Sequence, residues 1–461
     1  MSPDPFGTAA LRAAALDAWR ASPARLREDA NVEEDHARGY YRDRVVVELA
    51  QNAADAAARA GAPGRLLLRL ARVEGGGPPG GPVTVLVAAN TGAPLDEAGV
   101  ASLATMRASA KRDGGLVGRY GVGFAAVRAV ADEVSVLSTS GAVRFSLRDT
   151  AELLAEAGSG VPALAEEVRR RDGSLPALRL PLATDGEPPG GYDTAVVLEL
   201  RDEVAADEVR ALLRDVDDPL LLALPALAEV RVEDLTGPEP QVRVLADVER
   251  RWLVARAEGT VPDVLLAHRP VEERAADRWQ VAWALRRDGR VDLTEHVVHA
   301  PTPTDEHCAL PPLLVATLPL DPTRRRVATG ALTDFLLDHA AAVYVQLAQL
   351  VAREGGDALA LVPLGLPGGA VDSVLRTRVV DRLAHAPLLP AADDPARLVA
   401  PARAVAVEGT AGRDAAALVE LGRRVSSLVR VPAGRDGQAR TVGVEVRALA
   451  DLVEELPAVA G

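Results

Sequence analysis

Between residues 42 and 90 the chain changes hydrophobic periodicity, and that change constrains the fold more than any other feature. RDRVVVELAQNAADAAARA (42–60) is rich in Ala and other helix formers and stops at Gly61 and Pro63, which predicts a helix. RLLLRLARV (65–73) and PVTVLVAAN (82–90) read as strands parted by the turn-forming GGGPPGGP. A helix (96–107), a glycine-punctuated loop (113–123), a helix (124–131) and strands near 133–139 and 142–147 follow. A Pro/Gly-rich interval then leads to a buried strand, TAVVLEL (194–200). A short helix (8–20) and a polar stretch, SPARLREDANVEEDHARGYY, precede the series. Helices and strands are mixed rather than alternating as strict βαβ units, so the predicted class is α+β.

At 461 residues the chain exceeds one ordinary core. The texture changes near 226, where VRVL, RWLVARA, RWQVAWALRRDG and LLVATLPL suggest strands. The predicted domains are 1–225, a strand-rich 226–330, and a mixed α/β region 331–461 that opens with a helix at 333–354. Aromatics make up 3%, so Val, Leu and Ala must build the core.

The net charge of −14 argues against a nucleic-acid partner across the whole surface, because phosphate neutralisation needs clustered Lys and Arg. Cys308 is the single cysteine, which excludes a disulfide framework and a Cys-based zinc site. The opening MSPDPFGTAALRAAALDAW lacks signal-peptide character, and no run of eighteen apolar residues appears. No membrane partner is expected, and the default compartment is the cytoplasm. HVVH (296–299) with His307 and Cys308 lacks convincing ligand spacing, so these read as packing or surface residues. The chain has no Ile, one Lys (Lys111) and three Asn (Asn31, Asn52, Asn90). A GC-rich genome accounts for this bias, and a surviving Lys or Asn then tends to stand where nothing else works.

Three elements carry chemistry. Glu48, Asn52 and Asp55, at i, i+4 and i+7, fall within roughly 60° of one another on the circumference of their helix. A carboxylate can polarise water, and an amide oxygen beside it suits Mg²⁺, which prefers hard oxygen ligands. A strand ends in Asn90-Thr-Gly92, where glycine lets backbone approach a ligand. Gly118, Gly121 and Gly123 form a G-x-x-G-x-G loop opening into a helix at Phe124, and successive N–H groups there make an anion cradle. This spacing is neither the dinucleotide fingerprint nor the G-x-x-x-x-G-K-[ST] phosphate loop.

In that order, ELAQNAADA, ANTGAPLD and SAK–GRYGVGF resemble the GHKL nucleotide site of heat-shock chaperones, gyrase, MutL proteins and histidine kinases. ELAQNAADA is similar to the asparagine box, ANTGAPLD to the first glycine box, and GRYGVGF to the lid hinge. YDTAVVLELRDE looks like the late core strand beside the adenine. Asn90 and the SxK–GRxGVGF lid resemble the sacsin-like branch, and REDANVEEDHARGYYRDR also looks like the lead-in segment of actinobacterial proteins of this kind.

The resemblance implies a Bergerat-type α/β sandwich, a mixed sheet covered by helices, over 1–225. It implies ATP and Mg²⁺ as cofactors, with Glu48 as general base, Asn52 as the Mg²⁺ ligand and Asp55 holding the nucleotide by hydrogen bonds. Met106 packs near adenine, Lys111 approaches the phosphates, and Gly118, Gly121 and Gly123 bind them through backbone. Thr194 supports the base, while Asn90, Gly92, Ser109 and Phe124 complete the site. Two of the three Asn and the only Lys converge there. The implied activity is slow ATP hydrolysis driving lid closure, with a chaperone-like output, a protein client or partner, and a homodimer on ATP binding. The alternative is a nucleotide-sensing scaffold with little turnover.

One residue departs from the pattern. Most of the superfamily has Asp where this chain has Asn90. An amide carbonyl can still accept the adenine amino hydrogen, but without charge assistance of about 1–2 kcal/mol. A histidine kinase would need a phosphoacceptor on a dimerisation helix, and His36 lies in a polar stretch only twelve residues before Glu48. Gyrase and MutL relatives use a second-domain Lys, and none follows Lys111. Arg324, Arg325 and Arg326 are the basic residues that a second domain would offer to the γ-phosphate.

Overall fold

The computed structural model describes residues 4–38, 44–75, 81–105, 123–267, 269, 274, 277–289, 296–300, 302–321, 325–409 and 414–454, with the side chains of 36–38 left out. The chain divides into two compact units, Met1–Val248 with Ala267–Asp277, and Glu249–Leu266 with Arg278–Gly461. Both mix helices with a sheet, as the predicted α+β class requires.

The first unit begins with helices α1 (Thr8–Ala21), α2 (Pro23–Arg38) and α3 (Val45–Ala60). Strands β1 (Gly64–Val73) and β2 (Val83–Asn90), helix α4 (Glu97–Thr105) and a 3-10 turn at Gly123–Ala129 follow. The remainder is β3 (Ala131–Ser138), β4 (Gly141–Ser146), α5 (Leu147–Gly158), α6 (Pro162–Arg171), β5 (Leu182–Thr184), β6 (Thr194–Leu200), α7 (Glu203–Arg214), α8 (Asp218–Ala223), β7 (Leu227–Asp234) and β8 (Gln241–Ala246).

Eight strands form one mixed sheet in the order β5-β4-β3-β6-β2-β1-β7-β8. β1 and β7 run parallel, and the other neighbours are antiparallel. Side chains alternate between the faces of a strand. On β1, Gly64, Leu66, Leu68 and Leu70 share the buried face, and a Cβ on Gly64 would meet the Ala57 methyl at 2.6 Å, so this face meets α3. On the opposite face Leu67, Ala89 and Ala195 form a small apolar cluster with Val87, Leu137 and Tyr192 around it.

Three segments differ from the sequence reading. The polar stretch after α1 is the helix α2. Leu26, Ala30 and Glu33 lie buried at helical spacing, and a charged residue on the core face hides the apolar stripe. The interval before 194 holds α5 and α6, which pack with Trp19 and Leu26 of the first two helices; Ser146 caps α5 by accepting from the Asp149 N–H. The helix expected at 124–131 is the 3-10 turn, a winding that spans more length per residue and lets β3 start at Ala131.

β7 and β8 carry the first sheet past 225 to Ala246. In the second unit a five-stranded sheet has the order β12-β11-β13-β10-β9, built from β9 (Trp252–Thr260), β10 (Arg278–Arg286), β11 (Val297–His299), β12 (Pro303–His307) and β13 (Leu313–Ala316). It shares one core with the helix Ala331–Arg353 and with residues up to Val444. Trp283 donates to the Ala340 carbonyl at 2.7 Å and meets Tyr344 edge-on at 4.9 Å. By length and composition Ala331–Arg353 is long and apolar enough to cross a membrane; here Leu336, Leu337, Ala340, Tyr344 and Leu347 line the core.

Candidate functional site

Helix α3 packs on β1, β2 and β7 and on the Gly123–Ala129 turn. Val45, Val46, Leu49 and the alanines at 50, 53, 54, 56 and 57 form its buried surface. The predicted stripe runs along it with increasing burial: Glu48 and Asn52 are half-buried, and Asp55 is 1% exposed. A buried carboxylate needs polar partners, and both Glu48 and Asp55 have them. The Asn52 side chain makes no hydrogen bond among the described residues.

The end of β2 is pressed against the C-terminal half of α3. Gly92 has φ +136°, and a Cβ there would stand 2.6–2.7 Å from the backbone of Ala56 and Ala57. Only glycine accepts both that conformation and that approach. The Ala93 N–H donates to the Ala56 carbonyl at 2.9 Å, so the turn is bonded to the helix one residue beyond Asp55.

Register then places a polar row on the same sheet face. Leu66 pairs with Asn90, Asn90 with Thr194, and Thr194 with Ser138, so three polar side chains cross β2, β6 and β3 side by side. Asn90 is 8% exposed, and its Nδ2 donates to the Thr91 carbonyl at 3.3 Å. The hydroxyls of Ser138 and Thr194 are 3.4 Å apart. Phe124 is buried and meets Phe145 edge-on at 6.0 Å; Gly123 opens the turn that packs on α3.

The structure thus brings α3, the Asn90–Gly92 turn and Thr194 together, with the Gly123–Phe124 turn against α3. Met106, Ser109, Lys111, Gly118 and Gly121 lie outside the described residues. Arg324 does too, while Arg325 is ion-paired with Asp305 at 2.8 Å inside the second unit. Also in that unit, burial lowers His299 to about 4 and raises Cys308 to about 12, which keeps both uncharged. Glu48 and Asn52 are oxygen donors one turn apart on the half-exposed part of α3, the donor type that Mg²⁺ prefers.

Sequence reasoning missed Ser138 and Asp193. The Asp193 carboxylate accepts from the Gly92 N–H at 2.9 Å, across 101 residues of sequence, and no local pattern marks such a contact. It also missed a second charged cluster, at an open cleft of about 510 Å³ lined by Glu33, Glu34, Arg128, Asp132, Asp172 and Arg201 among others. Among the described residues, none of the predicted site residues lines that cleft. Burial raises Glu33, against the pull of Arg128 and two backbone N–H groups. Asp132 is lowered: burial opposes this, but the Arg201 hydrogen bond and the Arg128 and Arg201 charges prevail.

No family model matches the chain, and no curated protein matches it.

Proposed function

We propose that this chain is a Mg²⁺-dependent ATP-binding protein of the GHKL class that hydrolyses ATP slowly. The first unit is read as a Bergerat-type α/β sandwich, and the output as chaperone-like, with a protein client or partner and a homodimer formed on ATP binding. The observation that carries this reading is the junction of Gly92 with the Ala56 backbone, which sets Asn90 and Thr194 beside the helix bearing Glu48, Asn52 and Asp55.

Each residue has a role that its chemistry allows. The Asn90 side-chain Oδ1 accepts from the adenine amino group, with Thr194 alongside. Asp55 holds the nucleotide by hydrogen bonds, and Phe124 backs the wall. The Glu48 carboxylate takes a proton from the water that attacks the γ-phosphate. Asn52 would hold Mg²⁺, which would offset phosphate charge. Met106, Ser109, Lys111, Gly118, Gly121 and Gly123 keep the base-side and phosphate-side roles of the resemblance, and closure of that lid over the nucleotide is the step coupled to the rest of the chain.

A second reading, a nucleotide sensor with little turnover, is favoured by Asn90, which lacks the charge of the usual Asp. The two are separated by measuring nucleotide binding and phosphate release for wild type and Glu48→Ala. The expected outcome is binding retained and release lost in the variant. Equal slow release from both proteins supports the sensor, and a wild type that binds no nucleotide sinks both.

A further inference from the structure

We infer that Asp193 is a positioning residue for the base end of the proposed site, and the inference rests on the nucleotide reading. Asp193 stands immediately before Thr194, and its backbone and carboxylate tie three strand ends together. Its N–H donates to the Asn90 backbone carbonyl at 2.9 Å, and its own carbonyl accepts from the Thr139 N–H at 3.0 Å and the Ser138 hydroxyl at 3.2 Å. Its carboxylate Oδ2 accepts from the Gly92 N–H at 2.9 Å.

That last bond differs in kind. A carboxylate accepting from a backbone N–H is charge-assisted and stronger than a neutral bond. It holds the glycine whose left-handed backbone is wedged on Ala56, and Asn90 lies two residues away. The turn is gripped from the other side as well. Thr91 Oγ1 accepts from the Arg65 N–H at 2.9 Å, the Thr91 N–H donates to the Arg65 carbonyl at 3.0 Å, and the Arg65 guanidinium donates to the Gly191 carbonyl at 2.9 Å. The direction of the Asn90 amide is therefore set before any ligand arrives. Asp193 acts through Gly92 and Asn90, and its loss weakens binding without touching the hydrolytic end at Glu48.

The test uses the full chain with ATP and a non-hydrolysable ATP analogue. Asp193→Ala is expected to raise KM and the analogue Kd about tenfold and to leave kcat within about twofold, the pattern of lost uniform binding. Asp193→Asn, which keeps an acceptor oxygen, should recover binding to within about threefold of wild type. Hydrogen exchange supplies an independent readout: the Gly92 amide should be protected in the ligand-free wild type and exchange faster in Asp193→Ala. Wild-type affinity together with wild-type Gly92 exchange in Asp193→Ala overturns the inference. If that variant fails to fold, ligand-free protection of Gly92 and the Asp193→Asn affinity decide; an unprotected Gly92 overturns it. A wild type that binds no analogue removes the nucleotide reading, and the exchange rates still decide whether Asp193 holds the turn.

Discussion

The first unit contains two polar clusters that differ in how completely they are satisfied. Around Glu33, 3% exposed, the charges are closed on one another. Its carboxylate accepts from Arg128 at 2.7 Å and from the Ala177 and Leu178 N–H groups at 3.1 Å. Arg128 also donates to the Ala131 carbonyl and to Asp132, and Arg201 binds both Asp132 oxygens. Along α3 and the β2 end the polar groups are more open. Among the described residues the Asn52 side chain is without a hydrogen bond, and the Asn90 side-chain amide makes a single long one. A closed cluster fixes the fold and has little left to offer a ligand; an open one costs stability and can bind. The first should therefore govern unfolding, and the second affinity.

The strongest attempt to break that contrast is Arg128→Met. It leaves Glu33 buried without its counter-charge, and breaking a buried pair from one side costs about 3–5 kcal/mol. Urea unfolding should show the loss in the midpoint. Glu33→Gln, which keeps an acceptor for one of the two N–H groups, should lose less, and pairing it with Arg128→Met should recover part of the deficit. An Arg128→Met variant within about 1 kcal/mol of wild type, the size of an exposed pair, would mean that the cluster is solvated rather than structural.

The two clusters also differed in legibility, for a physical reason. Glu48, Asn52 and Asp55 are neighbours through the helical repeat alone, so their spacing is printed in eight consecutive residues. The strands β1, β2 and β6 were legible from β-forming runs between Gly and Pro turns. Glu33 and Arg128 are 95 residues apart, and Glu33 made α2 look like a polar loop. Asp193 was invisible for the same reason, since a side chain accepting from a distant backbone N–H leaves no periodic trace. The sheet's continuation through β7 and β8 rests on a parallel pairing of β1 with β7, a contact across the whole unit that no local pattern encodes.

Gly92→Ala tests the link between fold and site from the other side. The new methyl would sit 2.6 Å from the Ala56 carbonyl carbon on a backbone at φ +136°. Strain of this kind costs about 1–3 kcal/mol, and the turn can relieve it by lifting off α3. Stability measured by urea should therefore fall by about 2 kcal/mol, less than for Arg128→Met, while nucleotide binding falls below detection because Asn90 moves with the turn. A variant that keeps full affinity would show that the β2 end and α3 do not form one site.

The smallest expected effect is Asn90→Asp, and it runs in the opposite direction. The amide now donates to the Thr91 carbonyl at 3.3 Å and presents its oxygen as acceptor. A carboxylate cannot donate to Thr91, and at 8% exposure it carries a desolvation cost, so the ligand-free protein should be slightly less stable. Bound to adenine, the carboxylate gains a charge-assisted bond, and affinity for ATP should rise by about tenfold, or about 1.4 kcal/mol. The guanine O6 is an acceptor and repels the carboxylate, so GTP should not share the gain. Paired titrations of the two nucleotides against wild type and variant measure both effects. Equal gains for ATP and GTP would place Asn90 away from the base edge, and the polar row it shares with Thr194 and Ser138 would then belong with the closed cluster.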